Sequence, residues 1–106
     1  MRKEKNTIKL KNQRKENNMN YDQKINELKI YLPNAADPVG SYVASKISGK
    51  MLFISGQISI DENGKLIKGK LGKDLNTEEG YNAAKRCALS IVAQVKKACD
   101  DDLSKI

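Results

Sequence analysis

Apolar and polar residues alternate through the middle of the chain and predict three short strands. These segments are rich in β-branched and aromatic residues and cover 41–47, 51–60 and 66–71. The turn at 48–50 joins the first two strands, and a short loop before the third contains Gly64, a residue suited to a left-handed backbone. The pattern therefore predicts a hairpin followed by a return strand.

A helical pattern follows the strands from about 77 to 98. Asn76 is predicted to cap this helix, with Glu79 completing a capping box. Apolar residues at helical spacing predict one face packed on the sheet: Tyr81, Ala84, Ala88, Ile91, Val92, Val95 and Ala98. The fold class is therefore α+β, with three N-terminal strands and one long helix packed on the sheet.

The two ends of this core carry weaker patterns. Residues 22–30 have near-helical apolar spacing and predict a short helix, and a connector with two prolines follows it. At the other end, Leu103 and Ile106 resemble the start of a further strand.

The second predicted strand is interrupted by Ser55-Gly56-Gln57. A hydroxyl, a missing side chain and an amide contribute little to a buried strand. Either the sheet kinks here and needs glycine, or the backbone must approach a ligand closely, with Ser55 as a polar contact. The residues alone favour the kink over the ligand site.

Charge separates the N-terminal extension from the rest. The chain of 106 residues has a net charge of +7, and residues 1–18 hold seven Lys/Arg and two Glu, a net +5. With so few apolar residues, 1–18 is predicted to be a disordered extension of a domain at 19–106, and Met19 is a plausible true start. Such a tail could bind nucleic acid weakly through charge, although a solvated tail is the favoured interpretation.

Several kinds of site are excluded or disfavoured by composition. The chain has no histidine, which rules out a Ser-His-Asp triad and histidine-ligated zinc. Cys87 and Cys99 lie roughly 18 Å apart along a helix, too far for a disulfide within it, and are read as buried or idle thiols. Three consecutive aspartates at 100–102 are read as a solvated turn rather than a cation site. No metal or cofactor is expected.

A partial phosphate-loop motif at 64–70 is read as the basic edge of a hairpin. It lacks the following Ser or Thr and does not open into a helix. No apolar run is long enough for a membrane span, and no secretory signal precedes the domain, so a cytoplasmic protein without membrane contacts is expected.

Two stretches of the domain resemble the Rid family, the reactive intermediate deaminases, also called YjgF-like or L-PSP endoribonuclease-like proteins. They are "LPNAADPVGSYVASKISGKMLFISGQIS" and "GKLGKDLNTEEGYNAAKRCALSIVAQVKKA", and the resemblance covers about 19–106. It implies a chorismate mutase-like fold, homotrimers and ligand clefts between subunits. Tyr42 matches the family's site tyrosine, while Ser55 and Gly56 match the strand that lines the cleft, so these three are the expected substrate-binding residues.

The family's better-known members hydrolyse enamines and imines to 2-oxo acids and ammonia, so the implied ligand is an imine, an enamine or a related carboxylate. The chain departs from the family because the second half, with its substrate-clamping arginine and acidic residue, has no counterpart here. Arg86 is predicted to face solvent, opposite the apolar helix face. No catalytic residue is assigned.

Three functions stay open at this point. The first is an ancestral imine deaminase, inactive in this truncated chain. The second is a non-catalytic small-ligand-binding fragment, and the third is an RNA-binding or RNA-cleaving protein. RNA ranks last because four Tyr and one Phe offer few stacking surfaces.

Overall fold

The computed structural model describes residues 21–106. The predicted extension 1–18 and the start at Met19 lie outside the described residues. Two compact units divide the chain: the described residues 21–31 belong with 99–106, and 32–98 form the second unit. No helix in the described range is both long and apolar enough to cross a bilayer.

The smaller unit joins the beginning of the described range to the C-terminal residues. Its first helix, α1, covers 21–27 of the described residues and overlaps the predicted range 22–30 over 22–27, and Lys29 follows with φ 54°. The backbone N–H of Leu103 donates to Oδ2 of Asp22 at 3.2 Å, and Leu103 is only 3% exposed.

The C-terminal residues do not begin a strand, so that prediction is wrong. Leu103–Lys105 form a 3-10 helix, which Asp102 caps by accepting from the N–H of Ser104. Asp100 and Asp101 precede it with positive φ values of 54° and 63°, which break the extended course that a strand requires.

The larger unit contains one antiparallel hairpin. Strand β1 covers Ser45–Ser48 and strand β2 covers Met51–Ile54, with Ser48 opposite Met51. Gly49 supplies the left-handed turn residue with φ 59°. Two of the predicted strands therefore exist, and both are shorter than predicted.

The third predicted strand, 66–71, is wrong. This segment pairs with the residues that follow β2 at a single isolated bridge, between Ile60 and Leu66. Beside the bridge, the Ile67 N–H donates to Ser59 O at 2.7 Å. Gly69 then has φ 143°, which leaves the β region. The loop closes on itself instead, as Lys70 N–H donates to Asp74 Oδ2 at 2.9 Å.

The long helix α2, Thr77–Ala98, has the predicted bounds and cap. The N–H of Glu79 donates to Asn76 Oδ1 at 2.8 Å, and the N–H of Asn76 donates to Glu79 Oε1 at 3.1 Å. This reciprocal pair satisfies two donors that a helix N-terminus leaves unpaired. The class is α+β, with a two-stranded antiparallel sheet and one long helix.

The predicted orientation of α2 is wrong. Tyr81 is 70% exposed and Ile91 44% exposed, and Ala84 and Ala88 are exposed between them. The remaining apolar positions, Val92, Val95 and Ala98, are half-buried. The side of α2 that is covered instead carries Ala93 and Gln94, which are 6% and 2% exposed. With only two strands beside it, α2 is covered on one side and leaves its apolar stripe open.

Candidate functional site

A cleft of about 150 Å³ lies within the 32–98 unit, beside the end of β2. All three expected binding residues, Tyr42, Ser55 and Gly56, line it. The other lining residues come from the connector, the hairpin, the interrupted strand and α2: Ala36, Asp37, Pro38, Val39, Ala44, Gln57, Ile58, Ile60 and Gln94. The interruption of the second predicted strand is therefore one wall of a cleft.

Tyr42 contributes a hydroxyl that can still donate. Its oxygen accepts from the Val39 N–H at 3.4 Å, and its ring lies over Gly40, where an added Cβ would come within 3.3 Å of the ring. The side chain is half exposed. Because a phenol both accepts and donates, the Tyr42 proton remains available to a ligand.

Ser55 contributes a hydroxyl oxygen that can accept a hydrogen bond from a ligand. Its backbone N–H and its hydroxyl both donate to the carbonyl of Ala44, at 3.0 and 3.1 Å. With that proton committed, Oγ is left to accept. Gln57 secures the same segment, because its Nε2 donates to the Ser55 carbonyl at 3.1 Å.

Gly56 is free of crowding within the chain. Its φ lies outside the left-handed region, and an added Cβ would meet no atom within 4 Å. Nothing in the described fold therefore requires glycine here for backbone conformation, which removes the argument for a glycine-dependent kink. What remains is the second interpretation, in which the missing side chain leaves room in the cleft.

Gln94 is a cleft residue that the sequence analysis missed. Its Nε2 donates to the Ala36 carbonyl at 2.8 Å, across 58 positions of sequence. This bond holds the 36–39 wall of the cleft to α2. The available signal was a lone amide among apolar helix residues, and helical spacing placed it away from the apolar stripe.

Charge around the cleft is sparse. Asp37 is the one ionisable acid among the lining residues, with Lys97 Nζ 3.6 Å from its Oδ1, and both side chains are well exposed. No lysine or arginine lines the cleft. The lining residues therefore supply hydrogen bonds and apolar contacts but no cation for a carboxylate.

The prediction that Arg86 faces solvent is wrong. Its side chain is 13% exposed, Nε donates to the Ile60 carbonyl at 2.7 Å, and one terminal nitrogen lies 3.7 Å from Glu62 Oε1. Arg86 is not among the lining residues, but it holds the backbone of Ile60, which is one. The guanidinium therefore supports the wall of the cleft from behind.

The described part of the chain contains no set of side chains that could hold a metal ion. Residues 21–106 contain no cluster of three or more Cys, Asp or Glu side chains arranged to hold a metal ion. Cys87 and Cys99 are both free and half-buried.

Similar proteins agree with the resemblance seen in the sequence. A family model described as "YjgF/chorismate_mutase-like, putative endoribonuclease" matches residues 22–106. "Protein TCP17" of Trypanosoma cruzi is 40% identical over 77 residues, which cover 73% of this chain and 48% of that protein.

Two crystal structures show the same relation. The protein Atu1372 of Agrobacterium tumefaciens, of unknown function, is 40% identical with a TM-score of 0.65, over 77% of this chain and 49% of that one. A "putative endoribonuclease" of Shewanella oneidensis MR-1 is 34% identical with a TM-score of 0.69, over 76% of this chain and 54% of that one.

The chain spans about half the length of the relatives it matches. The family match nevertheless covers the whole of the domain that the structure describes beyond Tyr21. The chain belongs to the YjgF/chorismate mutase-like family.

Proposed function

We propose that this chain forms one part of a cleft that binds a small imine or enamine with a carboxylate, and that the ancestral activity of its family is hydrolysis of such compounds. The observation that carries the proposal is the convergence of Tyr42, Ser55 and Gly56 on one cleft. These residues were singled out by the resemblance, and Tyr42 stands 13 positions before the adjacent pair Ser55 and Gly56.

The cleft offers complementary hydrogen bonds to an imine. The Tyr42 proton can donate to the ligand, and Ser55 Oγ can accept from an N–H. Pro38, Val39 and Ile58 present apolar surface for a short hydrocarbon chain. Gly56 leaves space beside them because no side chain projects there.

The reaction adds one water across the C=N bond of the imine. The water oxygen bonds to the carbon, both water protons pass to the nitrogen, and the nitrogen leaves as ammonia when the remaining C–N bond breaks. The added oxygen becomes the C=O of a 2-oxo acid. An enamine first shifts a proton from nitrogen to its terminal carbon to become the imine. Tyr42 and Ser55 would orient the nitrogen and carbon for attack, and orientation contributes much of such catalysis.

The chain by itself is proposed to be inactive. A carboxylate is best held by a bidentate arginine, and the lining residues include none. Arg86 is committed to Ile60 and Glu62. The missing clamp would come from the half of the relatives that this chain does not match, in a complete homotrimer with clefts between subunits.

Two measurements test these statements separately. For activity, an amino-acid dehydratase generates 2-aminoacrylate, and its decay to pyruvate is followed with and without the purified chain. We expect equal decay rates. Faster decay that persists in Arg86→Ala would show that a clamp is unnecessary, and faster decay that is lost in Arg86→Ala would give Arg86 the clamp role.

For binding, pyruvate is titrated into isotope-labelled chain while amide NMR signals are recorded. The Ser55 and Gly56 signals should shift at millimolar pyruvate, and Tyr42→Phe should reduce the shift. Tyr31→Phe, at a site 83% exposed and outside the cleft, is the matched control. Unchanged shifts in Tyr42→Phe, or shifts confined to other residues, would contradict the site.

RNA binding is a second candidate, favoured by one surface. Lys65, Lys68, Lys70 and Lys73 are all exposed on the loop after β2 and form the lysine loop. Such a cluster binds phosphates through charge, with affinity that falls steeply as salt rises. Replacing all four by glutamine and, separately, deleting 2–18 would divide any RNA affinity between loop and extension. RNA affinity that survives both changes would contradict a purely electrostatic origin.

A further inference from the structure

Gln94 is the most deeply buried polar residue that lines the cleft. It is 2% exposed, and its Nε2 donates to the Ala36 carbonyl at 2.8 Å. Among residues 21–106, the Gln94 side chain makes no other hydrogen bond, so its Oε1 accepts from none of them. An amide oxygen that is largely removed from water and lacks a donor costs free energy, and a donor carried by a ligand would recover it.

The Oε1 atom of Gln94 is open to the cleft. Within the described range, it is not among the side-chain oxygens that are both inaccessible and unbonded, so part of its surface is accessible. Because the residue lines the cleft and is otherwise almost fully covered, this accessible surface lies toward the cleft. A few polar atoms placed in this way fix the orientation of a bound ligand and provide its specificity.

The side chains that line the cleft are rich in hydrogen-bond acceptors. Nε2 of Gln57 donates to a backbone carbonyl, as Nε2 of Gln94 does, and so does the hydroxyl of Ser55. Each of these three side chains therefore turns a donor to the protein and keeps an oxygen for a ligand. Asp37 adds a carboxylate, and the Tyr42 hydroxyl keeps its proton. The lining side chains thus offer more acceptors than donors.

We propose that Gln94 is a specificity residue of the cleft, whose Oε1 accepts an N–H of the ligand together with Ser55 Oγ. This inference rests on the proposed function and names the end of the ligand that the cleft recognises. An enamine NH2 or a protonated imine carries two N–H groups, which match two oxygen acceptors. In the 2-oxo acid product an oxygen without hydrogen replaces that nitrogen, so the same acceptors disfavour it.

The first test compares oxamate with pyruvate on the wild-type chain. The two ions have the same charge and similar size, but oxamate has an NH2 where pyruvate has a methyl group. Each is titrated into isotope-labelled chain, and its dissociation constant is measured from the Ser55 and Gly56 amide signals. Oxamate should bind roughly ten times more tightly, because it makes an added hydrogen bond.

The other outcomes of this titration are distinguishable. Equal affinities, or a preference for pyruvate, would overturn the role of Gln94 and leave the proposed site in place. Shifts of Ser55 and Gly56 with neither ion would contradict the site itself and this proposal with it.

The second test observes the Gln94 side chain in the same titrations. A hydrogen bond accepted by Oε1 polarises the amide and moves the NMR signals of its NH2 group. At equal occupancy, judged from the Gly56 signal, oxamate should move these signals further than pyruvate does. Gln94 signals that stay in place while those of Ser55 and Gly56 move would mean that Oε1 does not contact the ligand, and would overturn the proposal.

The third test, Gln94→Met, separates recognition from structure. Methionine keeps an unbranched side chain but loses both the acceptor and the donor to the Ala36 carbonyl. A purely structural role would weaken both ions by the same factor, whereas loss of the acceptor should reduce the affinity ratio to about one. Gln23→Met, at an exposed glutamine outside the cleft, is the matched control and should keep the preference for oxamate.

A preference for oxamate that persists in Gln94→Met would overturn the proposal. The first two tests use the wild-type chain, so they decide it even where this variant fails to fold.

Discussion

The two sides of helix α2 differ in a way that its sequence does not suggest. The covered side holds Gln94 and Ala93, both nearly inaccessible, together with the mostly buried Arg86. The open side is the more apolar of the two and holds four exposed residues, here called the α2 stripe: Tyr81, Ala84, Ala88 and Ile91. Burial on this helix therefore follows specific hydrogen bonds to Ala36 and Ile60 as well as hydrophobicity.

The difference shows what each side can do. A buried amide or guanidinium must satisfy its hydrogen bonds, so each fixes one segment of the cleft wall at a defined place. An exposed apolar stripe makes no contact that fixes a segment of the cleft wall. We therefore expect substitutions on the covered side to affect stability and the cleft, and substitutions on the open side to leave both nearly unchanged.

The largest effect is expected from Gln94→Leu. The change removes the donor to the Ala36 carbonyl and forces a branched side chain into a position that is 2% exposed, which together should cost about 3 kcal/mol of unfolding free energy. Chemical denaturation measures it. Gln23→Leu, at an exposed glutamine of α1, is the control and should stay within about 0.5 kcal/mol. Equal effects at both sites would mean that the bond to Ala36 contributes nothing.

The next largest effect is expected when the same change, alanine to glutamine, is made on the two sides of α2 and the unfolding free energies are compared. Ala93→Gln inserts a longer polar side chain where alanine is 6% exposed and should cost about 2 kcal/mol. Ala88→Gln, on the α2 stripe, should change the unfolding free energy by less than about 0.5 kcal/mol at low protein concentration. A larger destabilisation by Ala88→Gln would mean that the side of α2 with Ala93 is not the covered one.

A smaller effect is expected from Arg86→Met. Methionine keeps part of the apolar stem but loses the donor to the Ile60 carbonyl, which should cost about 1.5 kcal/mol. The neighbouring exposed Lys85→Met is the matched control, with an expected change below about 0.5 kcal/mol. Amide exchange at 58–62 should also rise in Arg86→Met. No rise there would argue against Arg86 as the support of this wall.

The smallest effect belongs to the smaller unit and is lost in acid. The hydroxyl of Ser104 donates to Asp102 and, with the Ser104 N–H and the charge of Lys105, lowers the Asp102 pKa below its ordinary value of 3.8. A lowered folded-state pKa stabilises the fold above the ordinary value, and this contribution is lost as pH falls through the lowered value. It is absent at the lowest pH.

Ser104→Ala should remove the largest cause of that shift. Denaturation midpoints of the two proteins should differ most at about pH 5 and converge toward about pH 2. A difference that stays constant over this range would mean that Ser104 stabilises the turn without involving the charge of Asp102.

The candidate site was predicted in part. Tyr42, Ser55 and Gly56 came from motifs that the family resemblance made readable, and all three line the cleft. Gln94 was missed, because an isolated amide on a helix carries no signal of a carbonyl 58 residues away. Arg86 was misplaced, because its orientation was derived from an apolar face that turned out to be the open one.

The sequence by itself determined the local features of this protein. The capping box at Asn76, the bounds of α2 and the turn at Gly49 depend on contacts within a few residues, so their short-range patterns were sufficient. Only the tertiary structure decided which side of α2 is covered, that 66–71 forms no strand, and that Gln94 reaches Ala36. These depend on which distant segments are present to pair and pack, and periodicity along the chain does not record that.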